Sequence, residues 1–266
     1  MTDTNQLLLQ AVADVAKLAG SKALSYYRTA LSPESKVDGT PVTIADREAE
    51  LSARDWIATR FPDDGILGEE FGEERPRAER QWIVDPIDGT KSFIRGVPLW
   101  GTLVAVSDRS SVIAGAAYFP AIDELIVAAI GQGAWWNGTR CRVSDVDNLA
   151  DATITTTDER FTDHPMRRER WRVLASRVSV ARSWGDCFGY LMVATGRAEV
   201  MADPVLSAWD AAPFLPIISE AGGVFTDWNR HATIRGGSAL ATNARLSDTV
   251  RAILCDAEPT PSGESR

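Results

Sequence analysis

The stretch from Gln81 to Pro98, QWIVDPIDGTKSFIRGVP, constrains this 266-residue chain more than any other. An apolar run, Trp82-Ile83-Val84, leads straight into Asp85, and Pro86-Ile87-Asp88-Gly89-Thr90 follow. Such a run reads as a buried strand that delivers two carboxylates to a tight turn, with Gly89 just after the second acid. Acids brought together at the end of a buried strand repel each other and lose hydration. A cation, protons or strong hydrogen-bond donors must meet them there.

The residues that bind metals narrow the choice of cation. The chain has only two histidines, His164 and His231, and three widely spaced cysteines, Cys141, Cys187 and Cys255, with no CxxC. This speaks against a zinc knuckle or a disulfide framework. It leaves an oxygen site, the kind that magnesium, manganese and calcium take. A formal net charge of −9 argues against nucleic-acid and anionic-membrane partners. No apolar run reaches transmembrane length, and MTDTNQLLLQ carries no basic region before a signal core; the expected location is the cytoplasm.

Along the chain, Leu8, Val12, Val15, Leu18, Ala19 and Leu24 have helical spacing and predict a helix over residues 5–30. A polar stretch follows to Pro41. Thr43 and Asp46 have capping-box spacing ahead of a helix over 45–60. A short strand at 65–68 ends in Glu69-Glu70, and the charged residues 72–80 read as a loop. Strands are predicted over 99–107, 112–118, 124–130 and 134–143, the last containing the hairpin dipeptide Asn137-Gly138. The second half alternates: strands at 153–157, 198–202, 224–226 and 239–242, helices at 188–195, 208–221 and 247–255, and a basic polar segment at 164–172. The pattern predicts a layered α/β protein with a substantially antiparallel sheet. Residues 1–256 form one domain of two intimate lobes in this reading, and 257–266 a disordered tail.

Acids recur at element ends: Glu69-Glu70, Asp85 with Asp88, Asp186, and Asp210. Each also fits a plainer role. Glu69-Glu70 suits a solvated loop, Asp210 a helix cap, Asp88 the turn before Gly89. Asp85, directly behind an apolar strand, is the hardest to explain that way. If a helix starts at Gly89-Thr90-Lys91, its free N–H groups favour an anion, phosphate above all. Acids that hold divalent ions beside such a start make a phosphoryl-transfer site. Thr90 also fits a simple first-turn residue, and Lys91 a solvated one.

With Gly68-Glu69-Glu70, DPIDGT behind a WIVD strand, and Trp209-Asp210-Ala211-Ala212 followed by EAGG at 220–223, the chain resembles the inositol monophosphatase family over about residues 7–255. The resemblance implies a five-layer αβαβα fold, commonly a homodimer, and a magnesium-dependent phosphatase with two to three ions, manganese being the alternative metal. It implies a first ion on Glu69, Asp85 and the Ile87 carbonyl, a second on Asp85, Asp88 and Asp210, and a weaker third leaning on Glu69. Asp88, Gly89 and Thr90 would meet the phosphate, the last two through backbone N–H. Asp46 matches the acid that hydrogen-bonds the threonine, here Thr90, and Glu69 with Thr90 would place the attacking water.

Lys91-Ser92-Phe93-Ile94-Arg95-Gly96-Val97-Pro98 and Arg182-Ser183-Trp184-Gly185-Asp186-Cys187 are similar to the histidinol-phosphate phosphatases of the same superfamily. This implies substrate contacts at Gly185, Asp186, Cys187 and Asp203, the last at the position of an inositol-binding glutamate. Histidinol phosphate carries an ammonium and an imidazole. A carboxylate in a partly dry pocket gains from a cationic partner and less from a neutral polyol. Asp186 also fits a helix cap, and Cys187 a packing residue rather than a nucleophile. Other readings are an inositol-1-phosphatase or broad sugar-phosphate phosphatase, a 3′-phosphoadenosine phosphatase, and a non-catalytic metal- or ligand-binding relative.

Overall fold

A computed structural model describes residues 2–36, 39–108 and 111–255, so the tail predicted at 257–266 lies outside the described residues. The first helix, α1 (Thr2–Leu24), buries Leu8, Val12, Val15 and Ala19 completely. It stops before residue 30 because the chain turns at Ser25–Arg28, where Arg28 has φ 60° and the Tyr27 ring packs on Phe93 and Trp100. The polar stretch that follows carries a small hairpin, β1 (Glu34–Ser35) and β2 (Pro41–Val42). Helix α2 (Ile44–Arg60) begins at the predicted capping box: Asp46 Oδ2 accepts from the Thr43 N–H at 2.7 Å.

Then come β3 (Gly65–Gly68), β4 (Gly72–Glu74), β5 (Gln81–Asp88), a single-turn helix α3 (Thr90–Phe93), β6 (Gly101–Ser107), β7 (Val112–Phe119), β8 (Glu124–Ala129), β9 (Gly133–Trp136) and β10 (Thr139–Arg140). They form an eight-stranded sheet in the order β10-β9-β8-β7-β6-β5-β3-β4, antiparallel except for β3 beside β5. Strand β4 lies within residues 72–80, where the sequence predicts a loop. It is an exposed, charged edge strand with no apolar alternation to reveal it. The predicted strand at 134–143 is split by Asn137 (φ 48°) and Gly138 (φ 76°), the left-handed pair of a two-residue hairpin turn.

The second half supplies β11 (Thr153–Thr155), α4 (Pro165–Ala175), β12 (Val180–Arg182), α5 (Asp186–Ala194), β13 (Val200–Asp203), α6 (Ala208–Ala211), α7 (Phe214–Glu220), β14 (Val224–Thr226), β15 (Ala239–Thr242) and α8 (Ser247–Leu254). Their five strands order as β12-β11-β13-β15-β14, parallel on one side of β13 and antiparallel on the other. The basic segment at 164–172 is helical, with Pro165 at its start and only Trp171 and Leu174 buried. The helix predicted at 208–221 breaks at Pro213, which has no N–H to continue it.

Five layers result. One core joins α1 and α2 to Val84, Val104 and Val106 of the large sheet. A second lies on the other face, where Leu103, Ala117 and Ile126 meet Leu191, Phe214 and Ile217 and then Met201 and Phe225 of the small sheet. A third packs Ile154, Val200 and Leu240 against Trp171, Leu174, Val250 and Leu254 of α4 and α8. The sequence is therefore α1/α2, large sheet, α5–α7, small sheet, α4/α8, as the resemblance implied.

Candidate active site

Strand β5 carries an irregularity that decides the site. Asp85 pairs with Leu103 and Asp88 with Gly101, so three steps on β5 match two on β6. This is a β-bulge, and it accommodates Pro86, which has no N–H for a central ladder. The Thr102 hydroxyl donates to the Pro86 carbonyl at 2.7 Å and pins it. In a regular strand Asp85 and Asp88, three apart, would face opposite ways. Here Val84 and Ile87, also three apart, share the core under α1 and α2, and both acids face the other side. There Asp210 joins them from α6: one carboxylate oxygen from each of Asp85, Asp88 and Asp210 lies within 4.8 Å of the others.

Each of the three acids is held by a backbone amide. Asp85 Oδ1 accepts from the Ile87 N–H at 2.9 Å, Asp88 Oδ2 from the Cys187 N–H at 2.5 Å, and Asp210 Oδ2 from the Ser207 N–H at 2.9 Å. Burial pushes the Asp85 carboxyl well above its usual range, and the charges of Glu69, Asp88 and Asp210 push it further. Asp88 is raised by burial and then by Asp186 and Asp210. Asp210 is raised to about 6 by burial, against the Ser207 amide. A cluster so crowded favours protons or a multivalent cation. With oxygens only and no imidazole or thiolate in the set, the donors fit a hard divalent ion.

Glu69 and Glu70 follow β3 at the pocket edge. Lys36, from the β1–β2 hairpin, donates to Glu69 Oε1 at 2.7 Å and to Glu70 Oε1 at 2.5 Å. Burial raises Glu70 to about 7, with Lys36 opposing. Burial also opposes the Lys36 charge, but its two glutamate partners outweigh it and its pKa is raised. The turn itself is set by Glu50, fully buried on α2. Its carboxylate accepts from the Glu70 N–H at 2.7 Å, the Phe71 N–H at 3.2 Å and Arg54 Nε at 2.8 Å. A Cβ on Gly68 would stand 1.9 Å from Glu50 Oε1, so a larger residue at that strand end would displace the Glu50 carboxylate. Sequence reasoning missed Glu50, although an acid one turn beyond Asp46 within an alanine stripe was a visible signal.

The pocket that Glu69, Asp85, Asp88 and Asp210 line holds about 210 Å³ and also takes in Gly89, Thr90, Lys91, Asp186 and Trp209. Gly89 has φ 86°, and a Cβ there would meet Leu99 O at 3.1 Å and Asp186 Oδ2 at 3.3 Å. It precedes the single turn α3, and both Gly89 and Thr90 line the pocket. The segment behind that turn is clamped: the Gly96 carbonyl accepts from Tyr27 OH at 2.6 Å and from Arg28 Nη2 at 3.0 Å.

Three of the expected contacts are absent from the described structure. The Thr90 hydroxyl donates to the Ile87 carbonyl at 3.0 Å, not to Asp46. Asp46 instead caps α2 through Oδ2, and its buried Oδ1 has no hydrogen-bond partner. Asp203, expected at the substrate, is 1% exposed, with Oδ1 accepting from the Thr157 N–H at 3.1 Å and Oδ2 from Tyr190 OH at 3.0 Å. Burial raises it to about 7. Of Gly185, Asp186 and Cys187, only Asp186 lines the pocket. A Cβ on Gly185 would stand 2.2 Å from Thr157 Cα, and the buried Cys187 thiol packs by Gly101 with its pKa pushed well up by burial. Asp186 makes no side-chain cap; Gly185 takes the N-cap position of α5. The EAGG motif lies apart from the pocket, where Glu220 accepts from the Gly131 and Gly133 amides at 2.9 and 2.7 Å and fastens a turn.

The sequence pattern of the inositol monophosphatase family matches residues 4–258. A histidinol-phosphatase of Chlorobaculum parvum is 41% identical over 248 residues, covering 92% of this chain and 96% of that protein. An inositol-1-monophosphatase of Rhizobium meliloti is 34% identical over 227 residues, covering 83% and 84%. Among solved structures, the extragenic suppressor protein suhB of Bartonella henselae superposes with a TM-score of 0.88 at 29% identity, covering 93% of this chain and 98% of that one. With this fold and this cluster of acids, the chain belongs to the inositol monophosphatase family and is a phosphoric monoester hydrolase.

Proposed function

We propose that the protein hydrolyses L-histidinol phosphate to L-histidinol and phosphate, with magnesium as its metal. The observation that carries the substrate is Asp186. This carboxylate faces the pocket beside Gly89 without belonging to the Asp85–Asp88–Asp210 group and without capping a helix. It is raised to about 6 by burial, with Lys91 opposing, and a second cationic partner would favour its charge further. The ammonium of an amino-alcohol phosphate supplies that partner, and a neutral polyol does not. The greater identity to a histidinol-phosphatase than to an inositol-1-monophosphatase supports the same choice.

Glu69, Asp85 and the Ile87 carbonyl would hold one magnesium ion, and Asp85, Asp88 and Asp210 another, with a third leaning on Glu69. When bound, the ions neutralise the phosphate oxygens and lower the pKa of water. Gly89 and Thr90 orient the phosphate through their amides. Glu69 and Thr90 place the water for in-line attack. The Ile87 carbonyl has two lone pairs and could serve a metal while still accepting from the Thr90 hydroxyl; the unpaired Asp46 Oδ1 is a second acceptor that we assign to Thr90. Lys36 pairs with Glu69 Oε1, where a metal on Glu69 would compete with it. A homodimer in the cytoplasm completes the proposal; no helix among the described residues is long and apolar enough to cross a membrane.

The test is phosphate release, with magnesium present, from histidinol phosphate, inositol-1-phosphate, fructose-1,6-bisphosphate and 3′-phosphoadenosine phosphate. Histidinol phosphate should give the largest kcat/KM. A larger value for inositol-1-phosphate would refute the substrate, and no release from any ester would refute the activity.

A further inference from the structure

Asp186 has φ 49°, in the left-handed region, and is the only non-glycine residue among those lining the pocket to do so. A residue with a Cβ keeps that conformation only where its surroundings hold it. The contacts that hold it form a closed ring. The Asp186 N–H donates to Thr157 Oγ1 at 2.8 Å. The Thr157 N–H donates to Asp203 Oδ1 at 3.1 Å, and Tyr190 OH donates to Asp203 Oδ2 at 3.0 Å. Tyr190 stands on α5, the helix that Asp186 begins, and its ring stacks on Phe214 at 4.7 Å between centroids. The ring thus leaves α5, crosses to β13, passes to the end of β11 and returns to the first residue of α5. Gly185 adds the close approach that lets the two backbones meet at Thr157. Asp203 reaches no part of the pocket surface, yet both of its oxygens are spent on this ring.

We infer that Thr157, Asp203 and Tyr190 are positioning residues for Asp186. They fix the angle at which its carboxylate enters the pocket, and so set how far the enzyme favours a leaving group that carries an ammonium over a neutral one. This rests on the reading above that Asp186 meets the substrate's ammonium. None of the three touches the reacting phosphate.

Thr157 is exposed, so its replacement spares the core. The experiment compares wild type, Thr157→Ala, Thr157→Ser and Tyr190→Phe as magnesium-loaded full chains. It measures kinetics on histidinol phosphate and inositol-1-phosphate, and hydrogen exchange of the peptide covering residues 183–190. Thr157→Ala should lose about tenfold in kcat/KM on histidinol phosphate, mostly through KM, and stay within about twofold on inositol-1-phosphate. Its exchange should speed up, Thr157→Ser should restore both, and Tyr190→Phe should move the same way by less. Equal losses on the two esters, no loss on either, or unchanged exchange in Thr157→Ala overturns the inference. If wild type shows no preference for histidinol phosphate, the substrate reading falls on its own, and the exchange data alone then decide whether the ring holds Asp186.

Discussion

Asp210→Asn should make the metal-free protein more stable while removing its activity. The Asp210 carboxyl, ordinarily near 3.8, sits at about 6 because burial disfavours its charge. A folded-state value above the unfolded one means that the folded protein binds the extra proton. The penalty is therefore absent below about pH 4, grows between about pH 4 and 6, and is complete above that. A two-unit difference corresponds to about 3 kcal/mol, and about half of that remains once the half-buried carboxylate's access to water is allowed for. Asparagine keeps an acceptor for the Ser207 amide and also relieves Asp85 and Asp88, both raised in part by Asp210. At pH 8 with chelator, the variant should melt about 3–6 °C higher than wild type, and the gap should close at pH 4. Thermal unfolding followed by tryptophan fluorescence at both pH values measures it, and phosphate release with magnesium reports the loss of turnover. A variant less stable than wild type at pH 8 in chelator, or one whose gap does not depend on pH, would refute the reasoning.

Asp186→Asn should lower kcat/KM on histidinol phosphate about tenfold or more while sparing inositol-1-phosphate; equal losses would make Asp186 structural. Asp88→Asn should cut turnover at low magnesium by about a hundredfold or more, and near-normal rates there would remove Asp88 from the ligand set. Gly68→Ala drives a methyl into Glu50 and should destabilise the fold by about 2 kcal/mol or more and raise the magnesium concentration needed for half-maximal activity, both read by melting and metal titration.

Much of the fold could be read locally. The α1 spacing, the Thr43–Asp46 box and Asn137-Gly138 each declare themselves within a few residues, because capping, helical period and left-handed turns are short-range physics. Helix α4 did not, since only Trp171 and Leu174 of its residues go inside. In the site, the three acids that approach one another stand in strongly marked motifs. Depth does not show in a motif: Asp203 and Asp186 are both acids beside apolar runs, and only packing sends one into the core and the other to the pocket. Lys36, Glu50 and Thr157 contribute through distant partners, 20 or more residues away in sequence, that no local pattern links.

The bulge at Pro86 has a consequence for how this site can change. A strand alternates sides with every residue, so the count between two acids has a parity, and DPID has the wrong one for a shared site. The bulge restores it. Removing Pro86 from the chain would straighten the ladder at a new spacing of two and keep both acids together. Repairing the bulge without a deletion would turn Asp88 into the α1/α2 core, a charge among alanines. Ligand spacing and backbone irregularity are therefore inherited as one character: neither can drift unless the other moves with it.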